Sequence, residues 1–193
     1  MKSKVEKNKI QKEESLFDAA YRLFTTKGIH STAINDIVKE AGVAKGTFYL
    51  YFKNKYDILD RIILDKSSLI LTEAIKETEL NHFICFEERL LFFIDYIIEY
   101  LKKDKHLLKL IYKNLSWGVF RKAYKDYSEI QNISLMFEEG LKSSGLSRDN
   151  MEKILFMIIE LTGSVCYSCI ILNEPTNIDE MKPILFETIK KMI

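Results

Sequence analysis

The sequence predicts an all-α protein of about nine helices, with a small N-terminal three-helix head carrying a helix-turn-helix and a larger C-terminal helical bundle. Three observations lead there. Apolar residues recur three and four apart through most of the 193 residues, only two Pro and seven Gly interrupt them, and 47% apolar content is enough for a core. The domains expected are residues 1–55 and 56–193.

The first nine residues are polar and rich in lysine, and read either as a basic arm that attracts phosphate or as a solvated tail. A first helix is expected over about Lys9–Lys27, with Leu16, Ala20, Leu23 and Phe24 on one face and Gly28 as its stop. Thr32 is placed to cap a second helix, Ala33–Glu40, with Ile34, Ile37, Val38 and Ala41 at the inward positions. Gly42 permits the left-handed backbone of a sharp turn. A third helix starts near Ala44, with Phe48 and Phe52 inward and Lys45 and Tyr49 outward.

Asn54 caps a long fourth helix that reaches about Lys76, and Asp57 stands at its third position. After a polar break over Glu77–His82, Phe83–Lys102 is apolar almost all round and reads as a buried helix. Asp104 caps a helix to about Leu115, and another runs from Ser116 or Trp117 to about Ser143. Ser147 caps the next, which Pro175 closes. A last helix spans about Ile178–Met192, with Pro183 either in its first turn or at a kink.

Charge separates the two parts. Residues 1–55 hold 11 Lys and Arg against 6 Asp and Glu, or +5, and the remainder holds 18 against 22, or −4. The basic end carries two short helices joined by a tight glycine turn, the geometry that puts a second helix in the DNA major groove. Lys45 suits a guanine edge or phosphate, Thr47 a base edge or phosphate, and Gly46 a close backbone approach. Tyr49 adds a phenolic donor, Thr32 and Asn35 are further candidates, and Tyr51 and Lys55 suit phosphates.

The run of Gly28, Thr32, Ile37, Ala41, Gly42, Val43, Lys45, Gly46, Thr47, Phe48, Tyr49, Tyr51, Phe52, Lys53, Asn54, Lys55 and Leu59 resembles the DNA-binding domain of the tetracycline-repressor (TetR) family, without a gap over about residues 10–60. That resemblance implies a homodimeric, ligand-responsive transcriptional regulator, here expected to be a repressor in the cytoplasm. It implies a double-stranded operator, near-palindromic, and a small apolar or amphipathic effector. It also implies that the fourth helix transmits the effector's signal, and that the last two helices form the dimer interface. The alternative is a factor with the same head but no effector, which organises DNA or recruits a partner.

The second module is rich in aromatics. Phe93, Tyr96, Tyr100, Tyr112, Trp117, Phe120, Tyr124 and Tyr167 are the candidates to line an effector cavity, together with Glu160. Glu160 is the only charge in Ile154–Leu172, so it wants a cationic ligand, a hydroxyl, a residue across the dimer, or a wet edge with a salt bridge. That 19-residue stretch approaches the length of a membrane span, but Glu160, Thr162, Gly163, Ser164 and Ser168 dilute it, and a helix between subunits fits better. Gly163, Ser164 and Ser168 leave room for a second backbone, and Leu185 and Ile189 join them as candidate dimer contacts.

Cys166 and Cys169 have the C-x-x-C spacing of redox and zinc sites, yet they lie among apolar neighbours and read as core. The three cysteines and the absence of an export-like apolar segment behind the N-terminal lysines suit a reducing cytosol. His30, His82 and His106 are scattered without metal-ligand spacing, and no nucleophile motif or phosphate-binding glycine loop occurs. No metal, cofactor or enzymatic activity is therefore expected.

Overall fold

The computed structural model describes residues 4–114, 128–142 and 147–193, and among them every regular element is helical. The chain divides into two compact units, Met1–Asp65 and Lys66–Ile193. The division falls ten residues beyond the 55/56 boundary read from the sequence, inside the fourth helix.

The first unit contains α1 (Lys4–Thr26), α2 (Ile34–Glu40), α3 (Lys45–Tyr51) and the start of α4 (Lys55–Glu79). α1 packs against both α2 and α3, and α2 against α3. Their shared core holds Leu16, Ala19, Ala20, Leu23, Phe24, Ile37, Val38, Phe48 and Phe52, closed by Ile58, Leu59, Ile62 and Ile63 of α4. Gly28 (φ +83°) and Gly42 (φ +67°) supply the left-handed turns that end α1 and join α2 to α3. α1 starts five residues earlier than expected, because the polar residues before Lys9 continue its helix.

Thr32 does not cap α2. The N-cap is Ala33, whose N–H donates to Asp36 Oδ2 at 3.0 Å. Thr32 instead turns inward, 1% exposed, and its hydroxyl donates to the Gly28 carbonyl at 2.8 Å. Asn54 caps α4 as expected, accepting from the N–H groups of Tyr56 (2.8 Å) and Asp57 (3.1 Å), while Asp57 accepts from Lys53 N–H at 2.8 Å.

The second unit contains the rest of α4, α5 (Phe86–Lys103), α6 (Lys105–Asn114), α7 (Ser128–Gly140), α8 (Arg148–Cys166) and α9 (Ile178–Lys190). α8 continues as a π-helical turn over Tyr167–Leu172 and stops at Asn173, which is left-handed at φ 59°. α8 touches α5, α6, α7 and α9 and so runs through the middle of the unit. Asp104 and Ser147 cap α6 and α8 through the N–H groups of Leu107 (2.9 Å) and Asn150 (3.3 Å). Pro183 lies inside α9, beyond its first turn. The expected helix from Ser116 or Trp117 is described only as α7, since its first part lies outside the described residues.

A ladder of charges ties α9 to α5. Lys182 Nζ lies 2.7 Å from Asp95 Oδ1 and also pairs with Glu99, and Lys102 Nζ lies 2.6 Å from Asp179 Oδ1. Burial alone pushes the Lys182 ammonium down, but its hydrogen bonds to Asp95 and Glu99 outweigh that, so it is raised above its ordinary value. The same bond from Lys182 holds the Glu99 carboxyl below the usual range.

Candidate nucleic-acid interface and effector module

α3 presents two chemically distinct faces. Phe48 and Phe52, four residues apart, are fully or nearly fully buried, with ring centroids 5.7 Å apart. On the rest of its surface Lys45 and Gly46, in the first turn, are exposed, Tyr49 is 53% exposed, and Thr47 is half-buried. Asn35, on α2, is also exposed. A Cβ at Gly46 would meet nothing within 4 Å, so its bare backbone serves no packing inside the head and leaves room for something outside.

Leu50 was missed by sequence reasoning. It is 78% exposed on α3 between Tyr49 and Tyr51, where an apolar side chain can meet a thymine C5 methyl. The signal was available: Leu50 lies two residues after inward Phe48 and two before inward Phe52, which directs it outward.

Three expected contacts are committed elsewhere. Thr32 is buried with its hydroxyl spent on Gly28, so it supports the α1–α2 loop rather than offering a donor to DNA. Lys55 directs its ammonium at the carbonyls of Ile29 (2.8 Å), Thr32 (3.1 Å) and His30 (3.4 Å), which uses its three N–H donors within the head. Tyr51 donates its single O–H to the Lys9 carbonyl of α1 at 3.0 Å. Long-range closure of this kind leaves no trace in local sequence, which is why these residues resembled free surface donors.

Of the expected pocket residues in the second unit, Phe93, Tyr96, Tyr100, Tyr112, Glu160 and Tyr167 are among the described residues. Phe93 is buried. Tyr96 and Tyr100 are half-buried on α5. Burial and then the Glu73 and Glu77 carboxylates raise the Tyr96 phenol, which donates to Glu73; burial, then Glu73 and Asp104, raise Tyr100. Tyr112 stacks on Tyr167 with centroids 4.3 Å apart and planes 17° apart. Glu160 is exposed, which agrees with the wet edge among the readings that its isolated charge allowed. Trp117, Phe120 and Tyr124 lie outside the described residues. A cavity of about 520 Å³ lies elsewhere, where the end of α4 and the start of α5 meet α7; Phe83, Phe86, Arg89 and Met136 help to line it.

The expected dimer residues are also redistributed. Leu185 and Ile189 are 2% and 0% exposed inside their own unit, so α9 turns them to its own core and presents Ile184, 64% exposed, outward. Ser164 is exposed, and Gly163 and Ser168 are partly so. Met157, 46% exposed, extends the same helix surface. Asp149–Leu172 is long and apolar enough to cross a membrane by length and composition, and 28% of its most apolar window is buried within the monomer.

Cys166 and Cys169 are buried in the core, and burial pushes the Cys166 thiol up to about 12. No cluster of three or more metal-ligating side chains occurs among the described residues.

Comparison with known proteins bears on the head most strongly. Bacterial regulatory proteins of the tetR family share the domain that matches residues 16–62. The chain is 42% identical over 74 residues to the fatty acid metabolism regulator protein of Bacillus subtilis (strain 168), covering 37% of this chain and 38% of that protein. It is 33% identical over 104 residues to the uncharacterized HTH-type transcriptional regulator YdgC of the same organism, covering 52% of this chain and 53% of YdgC. These matches thus span between about a third and just over half of either relative. Among solved structures it is similar to the transcriptional regulator FadR from Bacillus subtilis in complex with stearoyl-CoA. The TM-score is 0.71 at 23% identity, over 94% of this chain and 99% of that one. At that identity the likeness bears on the fold.

Proposed function

We propose, from the tetR-family domain matched over residues 16–62, that the chain is a cytoplasmic, ligand-responsive transcriptional repressor rather than an enzyme. The observation that carries this reading is the surface of α3: Phe48 and Phe52 anchor the helix in the core, while Lys45 in its first turn, Tyr49 and Leu50 stand exposed. A homodimer presents two such helices about 34–36 Å apart to successive major grooves of a near-palindromic operator. The exposed Met157, Ser164 and Ile184 support a dimer surface on α8 and α9.

The effector is an apolar or amphipathic molecule held by the second unit. Because FadR is recorded with stearoyl-CoA, a long-chain acyl-CoA is the first compound to try. It acts only through unequal affinity for two conformations, and moving a 1:99 population to 99:1 takes about 5.5 kcal/mol of preference.

Selection of duplexes from a randomised library tests the first part. Enrichment of a two-fold site that Lys45→Ala no longer retains supports it, and failure to enrich any sequence overturns it. Stearoyl-CoA added to the selected complex tests the second: release supports the acyl-CoA reading, and unchanged binding up to saturating ligand rejects it.

A further inference from the structure

α1 is longer than the core it covers. Leu16, Ala19, Ala20 and Leu23 form its inward stripe, each 8% exposed or less. At about 100° per residue, Lys9 and Lys12 fall within about 30° of the mean direction of that stripe. The inward face of the helix therefore changes from apolar to cationic over its first turns, and there both lysines are exposed. Neither has an ion-pair partner among the described residues.

This overhang lies beside the proposed recognition helix. Tyr51, the last residue of α3, donates its hydroxyl to the Lys9 carbonyl at 3.0 Å across 42 residues of sequence. The carboxylates of α1 are turned elsewhere: Glu13, Glu14 and Asp18 line a cavity of about 490 Å³ with Arg61 and Asp65 of α4. Lys9 and Lys12 thus stand on a different side of α1 from the carboxylates that face α4. A cationic pair on an inward face, continuous with a DNA-reading helix and unmatched by any carboxylate, fits a polyanionic backbone.

We infer that Lys9 and Lys12 form a second phosphate-contacting strip, carried on rigid helix and locked to the recognition helix by Tyr51. The first turns of α1 that carry Lys9 and Lys12 are then a fixed outrigger of the DNA-binding head. This inference rests on the DNA-binding reading above, and it adds contacts that lie outside the helix-turn-helix.

The test is the salt dependence of binding, by fluorescence anisotropy, of the full-length protein to a labelled 30-base-pair duplex of random sequence. Each lost phosphate contact lowers the slope of log K against log salt by about 0.9. Lys9→Gln with Lys12→Gln is expected to reduce the slope by about 1.8. Lys7→Gln is the control, since Lys7 is exposed on the opposite side of α1, and it is expected to leave the slope unchanged. Circular dichroism confirms that the helix persists in each variant. An unchanged slope in the double variant overturns the strip, as does an equal loss in Lys7→Gln, which means diffuse charge. If the wild-type protein shows neither affinity nor a salt slope, the DNA-binding reading itself falls and the strip with it. Loss on Lys45→Ala with none on the double variant removes the strip alone.

Discussion

The Lys55 ammonium, at the first turn of α4, lies 2.8 Å from the Ile29 carbonyl 26 residues earlier in the chain. Bonds to Thr32 and His30 complete the arrangement, so one side chain satisfies the turn between α1 and α2. Lys55→Met is expected to destabilise the first unit by about 1–3 kcal/mol through unmet carbonyls. Chemical denaturation measures it. An unchanged midpoint alongside weaker DNA binding returns Lys55 to the role of a phosphate contact.

Leu50 tests direct readout. Leu50→Ala is expected to cost about 1 kcal/mol on the selected operator and almost nothing on random duplex, because a methyl contact distinguishes thymine but adds no charge neutralisation. Equal losses on both duplexes contradict it.

Gly140 is required by a neighbour rather than by its backbone. A Cβ there would overlap the Phe86 ring, which also approaches Phe137 edge-on at 5.8 Å. Gly140→Ala is expected to lower stability by about 1–3 kcal/mol, as overpacked cores do. Gly163→Ala, with nothing within 4 Å of its Cβ in the monomer, leaves the monomer fold intact. A thermal melt that ranks the two variants the other way refutes this.

The α5–α9 ladder gives stability a defined acid limb. The Glu99 carboxyl is held below 4.5 chiefly by its bond from Lys182, so its contribution is complete above the unfolded value and fades as pH falls through the folded one. Asp179 behaves alike through Lys102. Lys182, raised above 10.5, contributes below that value and loses its contribution on the alkaline side. Lys182→Met is expected to cost about 1–2 kcal/mol at pH 7, between an exposed and a buried pair, and to flatten the decline below pH 4.5. An acid limb of the same slope in the variant rules this out.

Thiol chemistry separates Cys85 from the pair in α8. Cys85 is exposed, whereas Cys166 and Cys169 are buried and the Cys166 thiol is raised to about 12. Native protein treated with iodoacetamide at pH 8 is expected to carry one rapid label, at Cys85, and three after unfolding. Rapid labelling of Cys166 in the native state contradicts the buried assignment.

The head was legible because its information is local. Gly28 and Gly42 lie at the left-handed turns they suggested, Phe48 and Phe52 face inward at helical spacing, and Asn54, Asp104 and Ser147 cap as their chemistry implies. What escaped depends on distant pairing. Thr32, Tyr51 and Lys55 have the composition of DNA contacts, but their donors meet carbonyls that only the folded chain brings near. Pattern likewise shows that α9 is amphipathic without showing which neighbour covers its apolar face, and for Leu185 and Ile189 that neighbour is their own unit.

The π-helical turn at Tyr167–Leu172 alters how positions on this chain can be matched to others. A bond from i to i+5 encloses one residue more than the usual i to i+4 loop, so the turn takes up an extra residue without lengthening the helix by a full step. A homologue that is α-helical throughout this stretch therefore superimposes only with a single-residue gap inside it. Without that gap every later side chain, Asn173 included, is compared with a neighbour about one helical position out of phase, and a face inferred by counting from Arg148 points the wrong way.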